Sequence, residues 1–209
     1  MIDLVIFDAD GVLFDSTESN TAYYNAIFAA IGEPPMSPAE ERAGVFMAAP
    51  QVFELRARGD QEKSARMRAA ARGMDSTPFF ALLRPSLELR PFLAGLKRRY
   101  RLGLATNRSA TIPALIDFLG LGGIFDAVAS ARDAVRPKPA PDIVELCLER
   151  AGAGARRAVY VGDSETDRIA AEAAGTHFIG VGARVEHTHR IATIAELPAA
   201  LERLFRAIG

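Results

Sequence analysis

The amino-acid sequence predicts an α/β protein, a doubly wound parallel sheet interrupted by an inserted α-helical segment. Three observations carry this. Short apolar runs of strand length alternate with helix-length stretches over most of the chain. Between residue 16 and about residue 83 strand signals are scarce and helical ones abundant. Two of the apolar runs end in acidic phrases, FDADGVLFD at the start and VGDSETD near residue 163.

Taken in order, residues 4–7 (LVIF) form a continuous apolar run with β-branched members, which is how a strand buried on both faces reads. Residues 15–17 are expected to be an extended hinge. The insert then carries an apolar-periodic helix over 17–31, stopped by Gly32 and the Pro34-Pro35 pair, and shorter helical stretches over 38–46, 50–58, 61–72 and 77–83. A second hinge strand is expected over 84–89. The remainder alternates: helix 91–99, strand 102–105, helix 110–119, strand 125–129, helix 142–150, strand 158–161, helix 165–174 and strand 177–181. No internal repeat or low-complexity run interrupts it.

At 209 residues the chain can bury a sizeable core and hold one domain plus an insert. A formal net charge of −1 gives no bulk electrostatic reason to bind nucleic acid or an anionic membrane, so neither is expected as a partner. With 49% hydrophobic and 24% charged residues it reads as globular. Its apolar stretches are too short to span a bilayer, and Met1 leads directly into the first strand without a secretory signal. The single cysteine, Cys147, excludes an internal disulfide framework, fits a cytoplasmic location and falls on the apolar side of a helix, as a core residue.

The acidic phrases are informative because of where they stand. Asp8, Asp10 and Gly11 follow the first strand at its carboxyl end, where open α/β sheets bind ligands. Alone, the phrase is also compatible with an acidic turn containing a positive-φ glycine. The second phrase repeats the placement with Asp163 on a loop after residues 157–161 (RAVYV). Asp163 and Asp167, four apart at a helix start, can face the same side. A helix-dipole complement explains Asp167 equally well, but it leaves Asp163 unexplained. Carboxylates gathered at strand ends suggest a metal–phosphate site.

Four segments occur together: DADGVLFDS (8–16), LATNRS with Thr106 at a strand end, RPKPAPD with Lys138, and GDSETD (162–167). In this order and spacing they resemble the haloacid dehalogenase-like hydrolase superfamily over nearly the whole chain, in its phosphoglycolate phosphatase and β-phosphoglucomutase-like branch. The resemblance implies a Rossmann-like core formed by residues 1–15 and 85–209, a helical cap over 16–84, and a Mg²⁺-dependent phosphatase acting through an aspartyl-phosphate. Its substrate would be a small phosphorylated metabolite, its state a monomer or weak dimer. The alternatives are a phosphomutase or phosphotransferase sharing the first half-reaction, and a non-enzymatic regulatory protein on the same fold.

The chemistry assigns roles. Asp8 is the candidate nucleophile, and it needs a cation between its oxygen and the phosphate. Hard oxygen ligands select Mg²⁺: Asp8 and Asp163 are the expected ligands, Asp167 a direct or outer partner, and the backbone carbonyl of Asp10 a further ligand as the resemblance implies. The Asp10 carboxyl can protonate the leaving alcohol and later deprotonate water. Dehalogenating relatives lack an acid there, which favours phosphoryl transfer. The Thr106 hydroxyl and the Lys138 ammonium are expected on the phosphate, although turn chemistry and a solvated lysine are the ordinary readings of each alone. Gly11 and Asn107 are expected at the substrate from the core side. Arg108 suits either the phosphate entrance or the surface.

In the insert, Phe14, Asn20, Tyr23, Tyr24 and the loop 44–49, beginning at Gly44, resemble cap positions that approach substrate, Asn20 and Gly44 above all; the tyrosines and Phe46 also suit the insert's own core. The loop GVFMAAP holds no basic group for a second phosphate, which lowers the mutase reading. The cluster Arg56, Arg58, Lys63, Arg66, Arg68 and Arg72 reads as a solvated face paired with Glu54, Asp60 and Glu62. His187 and His189, in a polar loop without cysteines, read as surface residues, and His177 as structural.

Overall fold

The computed structural model describes residues 2–44, 47–108 and 111–208. In chain order the elements are β1 (Leu4–Phe7), β2 (Phe14–Asp15), α1 (Thr17–Ala30), α2 (Pro38–Gly44), α3 (Ala49–Ala57), α4 (Gln61–Gly73) and β3 (Arg84–Pro85). They continue as α5 (Leu89–Lys97), β4 (Arg101–Thr106), α6 (Ile112–Phe118), β5 (Ala127–Ser130), α7 (Asp142–Ala151) and β6 (Ala158–Gly162). The last are α8 (Glu165–Ala173), β7 (His177–Val181), β8 (Arg190–Ile191) and α9 (Leu197–Ile208). The chain divides into two compact units, one of Met1–Phe14 with Pro85–Gly209 and one of Asp15–Arg84.

The first unit is built on a six-stranded parallel sheet in the order β5-β4-β1-β6-β7-β8. The α/β class and the inserted helices expected from the sequence are therefore present. All of β1 and β6 are buried, as both-face coverage requires. Side chains at period two share a face: Leu4 and Ile6 of β1 with Ala158 and Tyr160 of β6 pack against Ile143, Val144, Cys147 and Leu148 of α7 and Ala170 and Ala171 of α8. Desolvation there pushes the Cys147 thiol up to about 12, so this core residue stays a thiol at neutral pH. The chain passes from β1 to β4 and β5 on one side and returns to β6, β7 and β8 on the other. That reversal leaves a crevice outside the carboxyl end of β1.

The second unit has its own core. Tyr24, Ile27 and Phe28, spaced i, i+3 and i+4 on α1, bury against Met36, Val52, Phe53, Ala57 and Met67. Each such side chain contributes roughly 1.5–3 kcal/mol on full burial. Tyr23 packs beside them and meets Phe79 edge-on, so both tyrosines belong to this core. The Arg56 guanidinium lies 4.5 Å over the Phe28 ring and pairs with Glu33 and Glu40. Lys63 pairs with Glu33 and Arg68 with Glu54.

The basic cluster is largely the expected solvated face, with Arg58, Arg66 and Arg72 exposed and Arg68 on Glu54, and it departs from it at two residues. Arg56 is mostly buried, and Asp60 accepts the Lys63 backbone N–H as the N-cap of α4 instead of pairing with a cation. Standing immediately before the helix, Asp60 satisfies an amide that has no partner within the helix. Residues 15–17 also differ from an extended hinge: β2 ends at Asp15, whose carboxylate accepts the N–H and hydroxyl of Thr17, and this local turn starts α1 at once. The stretch expected as helix over 77–83 is a 3₁₀ segment, Thr77–Leu82.

No element is expected after residue 181, yet β8 and α9 follow. β8 is two residues long and gives no periodic signal, whereas α9 buries Leu197, Leu201 and Leu204 at a helical spacing readable in the sequence. His187 and His189 are half-buried, with His187 edge-on to Phe178 at 5.1 Å and accepting the His189 N–H at Nδ1. Of the loop 44–49 and the helix expected over 110–119, Val45, Phe46 and Ala110 lie outside the described residues. Among the described residues no helix is long and apolar enough to cross a membrane.

Candidate active site

Asp8 prolongs β1 by one residue. Its N–H donates to the Val161 carbonyl at 2.9 Å, which holds its carboxylate at the strand tip. The chain then turns: Leu13 N–H donates to Ala9 and Gly11 N–H to Phe14, with Gly11 at φ 77°. A methyl group on Gly11 would sit 2.0 Å from Asp163 Oδ2, so the glycine vacates the space that the second acid occupies. At Gly162 a methyl would stand 2.4 Å from Asp167 Cβ. Each acidic phrase therefore contains a glycine that admits a carboxylate.

The second phrase is organised by a capping box. Ser164 Oγ accepts the Asp167 N–H, and Asp167 Oδ2 accepts the N–H groups of Asp163 and Ser164 at 3.2 Å and the Ser164 hydroxyl at 2.6 Å. This seats Asp167 under the loop, fully buried, and leaves Asp163 at the crevice, where Arg184 reaches its Oδ2 at 3.2 Å.

Lys138 lies between the two acidic phrases with 2% of its surface exposed. Its ammonium donates to Asp167 Oδ1 at 2.6 Å, the Tyr160 hydroxyl at 2.8 Å and the Ala105 carbonyl at 3.3 Å, and Tyr160 donates onward to the same carbonyl at 2.7 Å. Burial opposes the Lys138 charge, but the carboxylates of Asp167 and Asp8 together outweigh it and hold the ammonium protonated well above its ordinary range. The ammonium also forms an ion pair with Asp8 Oδ1 at 2.8 Å. Apart from that ion pair, Asp8 Oδ1 is buried with no hydrogen-bond partner among the described residues.

Oxygens of Asp8, Asp163 and Asp167 all lie within 4.8 Å of one another. Desolvation, outweighing Lys138, pushes the Asp8 carboxyl up to about 8, and desolvation with the neighbouring Asp167 charge pushes Asp163 up to about 7. Three hard carboxylates held together at this cost, one with a buried oxygen compensated by the Lys138 ion pair, fit a divalent cation that would add to that compensation.

The remaining core-side residues stand around this cluster. Thr106, 1% exposed at the end of β4, accepts the Arg108 N–H at its hydroxyl. Asn107 clasps the Lys138 backbone, donating from Nδ2 to its carbonyl and accepting its N–H at Oδ1. The Asp10 carboxylate is held by Arg108 through two parallel 2.8 Å bonds. In the helical unit, Asn20 Nδ2 donates to the Gly44 carbonyl at 3.3 Å and to Ser16 Oγ at 3.2 Å. Sequence reasoning misses Tyr160, Arg184 and the Arg108–Asp10 pair. Tyr160 had a readable signal, since a tyrosine inside a fully buried strand must find a partner for its hydroxyl.

A family model described as haloacid dehalogenase-like hydrolase matches residues 2–175. The chain belongs to the haloacid dehalogenase-like hydrolases. A crystal structure of a subfamily IA, variant 1 hydrolase of this superfamily from Geobacter sulfurreducens is 34% identical, with a TM-score of 0.82 over 95% of this chain and 99% of that one. The pyrophosphatase PpaX of Bacillus velezensis is 29% identical over 86% of this chain and 83% of its own length. A phosphoglycolate phosphatase of Pseudomonas syringae pv. syringae is 27% identical over 90% and 72%. This haloacid dehalogenase-like protein is thus a hydrolase by family, with a buried acidic triad that suits a metal ion.

Proposed function

We propose that this hydrolase is a Mg²⁺-dependent phosphatase that cleaves a small-molecule phosphate monoester through an aspartyl-phosphate, in the manner of phosphoglycolate phosphatases. The carrying observation is the cluster at the tip of β1: the buried Asp8 carboxylate, with oxygens of Asp163 and Asp167 within 4.8 Å and the Lys138 ammonium 2.8 Å from its Oδ1. A carboxylate buried at a strand tip and held beside a lysine is placed to form a bond to phosphorus.

Asp8 attacks phosphorus and the ester P–O bond breaks, and the departing alkoxide takes a proton that Asp10, once parted from Arg108, has taken up from solvent. Water then attacks the acyl phosphate, giving its proton to Asp10, and inorganic phosphate leaves as Asp8 is regenerated. Thr106 donates to a phosphoryl oxygen, and Lys138 supplies compact positive charge to nucleophile and phosphate. Asp8, Asp163 and the Asp10 backbone carbonyl would hold Mg²⁺, with Asp167 as a direct or outer partner, and the bound ion neutralises charge between nucleophile and phosphate. Because the Asn107 side chain is committed to Lys138, its substrate contact falls to the backbone, beside Gly11. Residues 16–84 serve as the cap, with Asn20 and Gly44 contacting the leaving group. The substrate class is a small phosphorylated metabolite.

The test is release of inorganic phosphate from p-nitrophenyl phosphate and a metabolite panel, with Mg²⁺ and with EDTA. Mg²⁺-dependent release with no acceptor present is expected; no turnover of any ester refutes the reading, and a phosphoenzyme that persists until a sugar phosphate is added would identify a transferase instead.

Metal binding should also carry a defined pH dependence. Asp8 and Asp163 have folded-state pKa values raised above the ordinary 3.8. Their neutral forms therefore stabilise the metal-free fold below that value, and the contribution is lost as pH rises through about 7 to 8. Mg²⁺ needs the ionised forms, so its stabilisation grows over the same window, reaching about 2.7 kcal/mol at roughly 100 times Kd. Thermal midpoints in EDTA and in Mg²⁺ should diverge more at about pH 8 than at about pH 5. An equal increment at both would contradict a site made of these two acids.

A further inference from the structure

Arg108 is fixed at its backbone on both sides. Its N–H donates to Thr106 Oγ1 at 3.2 Å and its carbonyl accepts the Ala131 N–H at 3.0 Å. From that anchor the guanidinium crosses to Asp10: Nε donates to Oδ2 and Nη2 to Oδ1, each at 2.8 Å. Both side chains are largely withdrawn from solvent, at 14% and 13% exposure, and the guanidinium carbon lies 5.6 Å from the centroid of the Phe14 ring. The planar fork occupies both oxygens of the carboxylate that must reach the leaving-group oxygen.

Both Asp10 oxygens face the guanidinium, so turning one of them to a leaving-group oxygen breaks at least one of the two bonds, and productive binding has to loosen the pair. A largely buried guanidinium released from a carboxylate is costly unless another oxyanion takes the fork. A substrate carrying such an anion supplies it at the moment Asp10 must swing away. A neutral leaving group does not, and Asp10 then stays latched.

We infer that Arg108 is a specificity-determining residue selecting phosphate monoesters whose leaving group bears a second oxyanion, a carboxylate or a further phosphate, which displaces Asp10 from the guanidinium fork; this presupposes the ester hydrolysis proposed above. The exchange makes or breaks no covalent bond. It couples recognition of the leaving group to liberation of its acid catalyst.

The experiment compares kcat/KM on matched pairs: 2-phosphoglycolate against its neutral amide for a carboxylate, and propane-1,3-diol bisphosphate against the monophosphate for a second phosphate. In the wild-type enzyme the anionic member of at least one pair is expected to be preferred by roughly ten- to a hundredfold, and the pair showing it identifies which oxyanion the fork takes. In Arg108→Gln the preference should collapse to about twofold or less, with the loss concentrated on the anionic member. Arg108→Lys should restore part of it, a point charge lacking the fork. Equal rates within both pairs in the wild-type enzyme overturn the inference even if Arg108→Gln does not fold, as does a preference that survives in a folded Arg108→Gln. Release of phosphate without preference leaves the phosphatase reading standing, whereas no release from these four esters, p-nitrophenyl phosphate or the metabolite panel removes both.

Discussion

Asp8→Asn should lose at least about 10⁴-fold in phosphate release while remaining folded. The amide is nearly isosteric with the carboxyl, so the Val161 ladder bond and the packing around it survive, but it neither attacks phosphorus nor forms an acyl phosphate. Stability supplies an independent check with a definite sign. Burial holds the wild-type carboxyl at about 8, which means its ionised form is accommodated at a cost in the metal-free protein. The neutral amide avoids that cost, so the variant's thermal midpoint in EDTA at about pH 8 should match or exceed the wild type. Phosphate release at the wild-type rate would remove Asp8 as nucleophile, and a large loss of stability would mean that it is chiefly structural.

Lys138→Met is the second large effect, and it acts on stability as well as rate. The ammonium donates to Asp167, Tyr160 and Ala105 and neighbours Asp8, all in a site with almost no water access. Methionine fills the volume but leaves the two acids facing each other without a cation. Removing one partner from a buried ion pair costs about 3–5 kcal/mol, because the remaining charge is stranded. Urea unfolding in EDTA at about pH 9, above the Asp8 value of about 8, should show that loss with an unchanged slope, and phosphate release should fall by about 10² or more through loss of charge at the phosphate. Lys138→Arg is not expected to rescue either, since a planar fork cannot direct donors to the same three acceptors. A variant as stable as wild type would mean that Lys138 does not compensate these acids in the metal-free protein.

Both expectations rest on groups whose positions differ in how readable they are. Asp8 is legible because a short apolar run can end only a few residues before the acid, and strand ends in a parallel sheet gather on one side. The capping box at Ser164 and Asp167 is legible for the same local reason, and it places Asp163 without any knowledge of the rest of the chain. Lys138 is legible only as part of a pattern: between two prolines it looks solvated, and its burial depends on Asn107, 31 residues away, gripping its backbone. Asp10 is legible as an acid, whereas its partner, Arg108, is 98 residues distant and equally suited to the surface by sequence.

From sequence alone came most element types up to residue 181, the insert of helices and the acids at the strand tips, because periodicity, turn chemistry and caps are settled within a few residues of one another. Tertiary structure decided which charges meet: the fork of Arg108 on Asp10, the three acceptors of Lys138, the Tyr160 hydroxyl turned inward, and the approach of Asp163 to the bare Cα of Gly11. Those contacts join segments far apart along the chain. Their energies depend on burial and on distances of a few ångströms, quantities that exist only once the sheet has brought β1, β4 and β6 side by side.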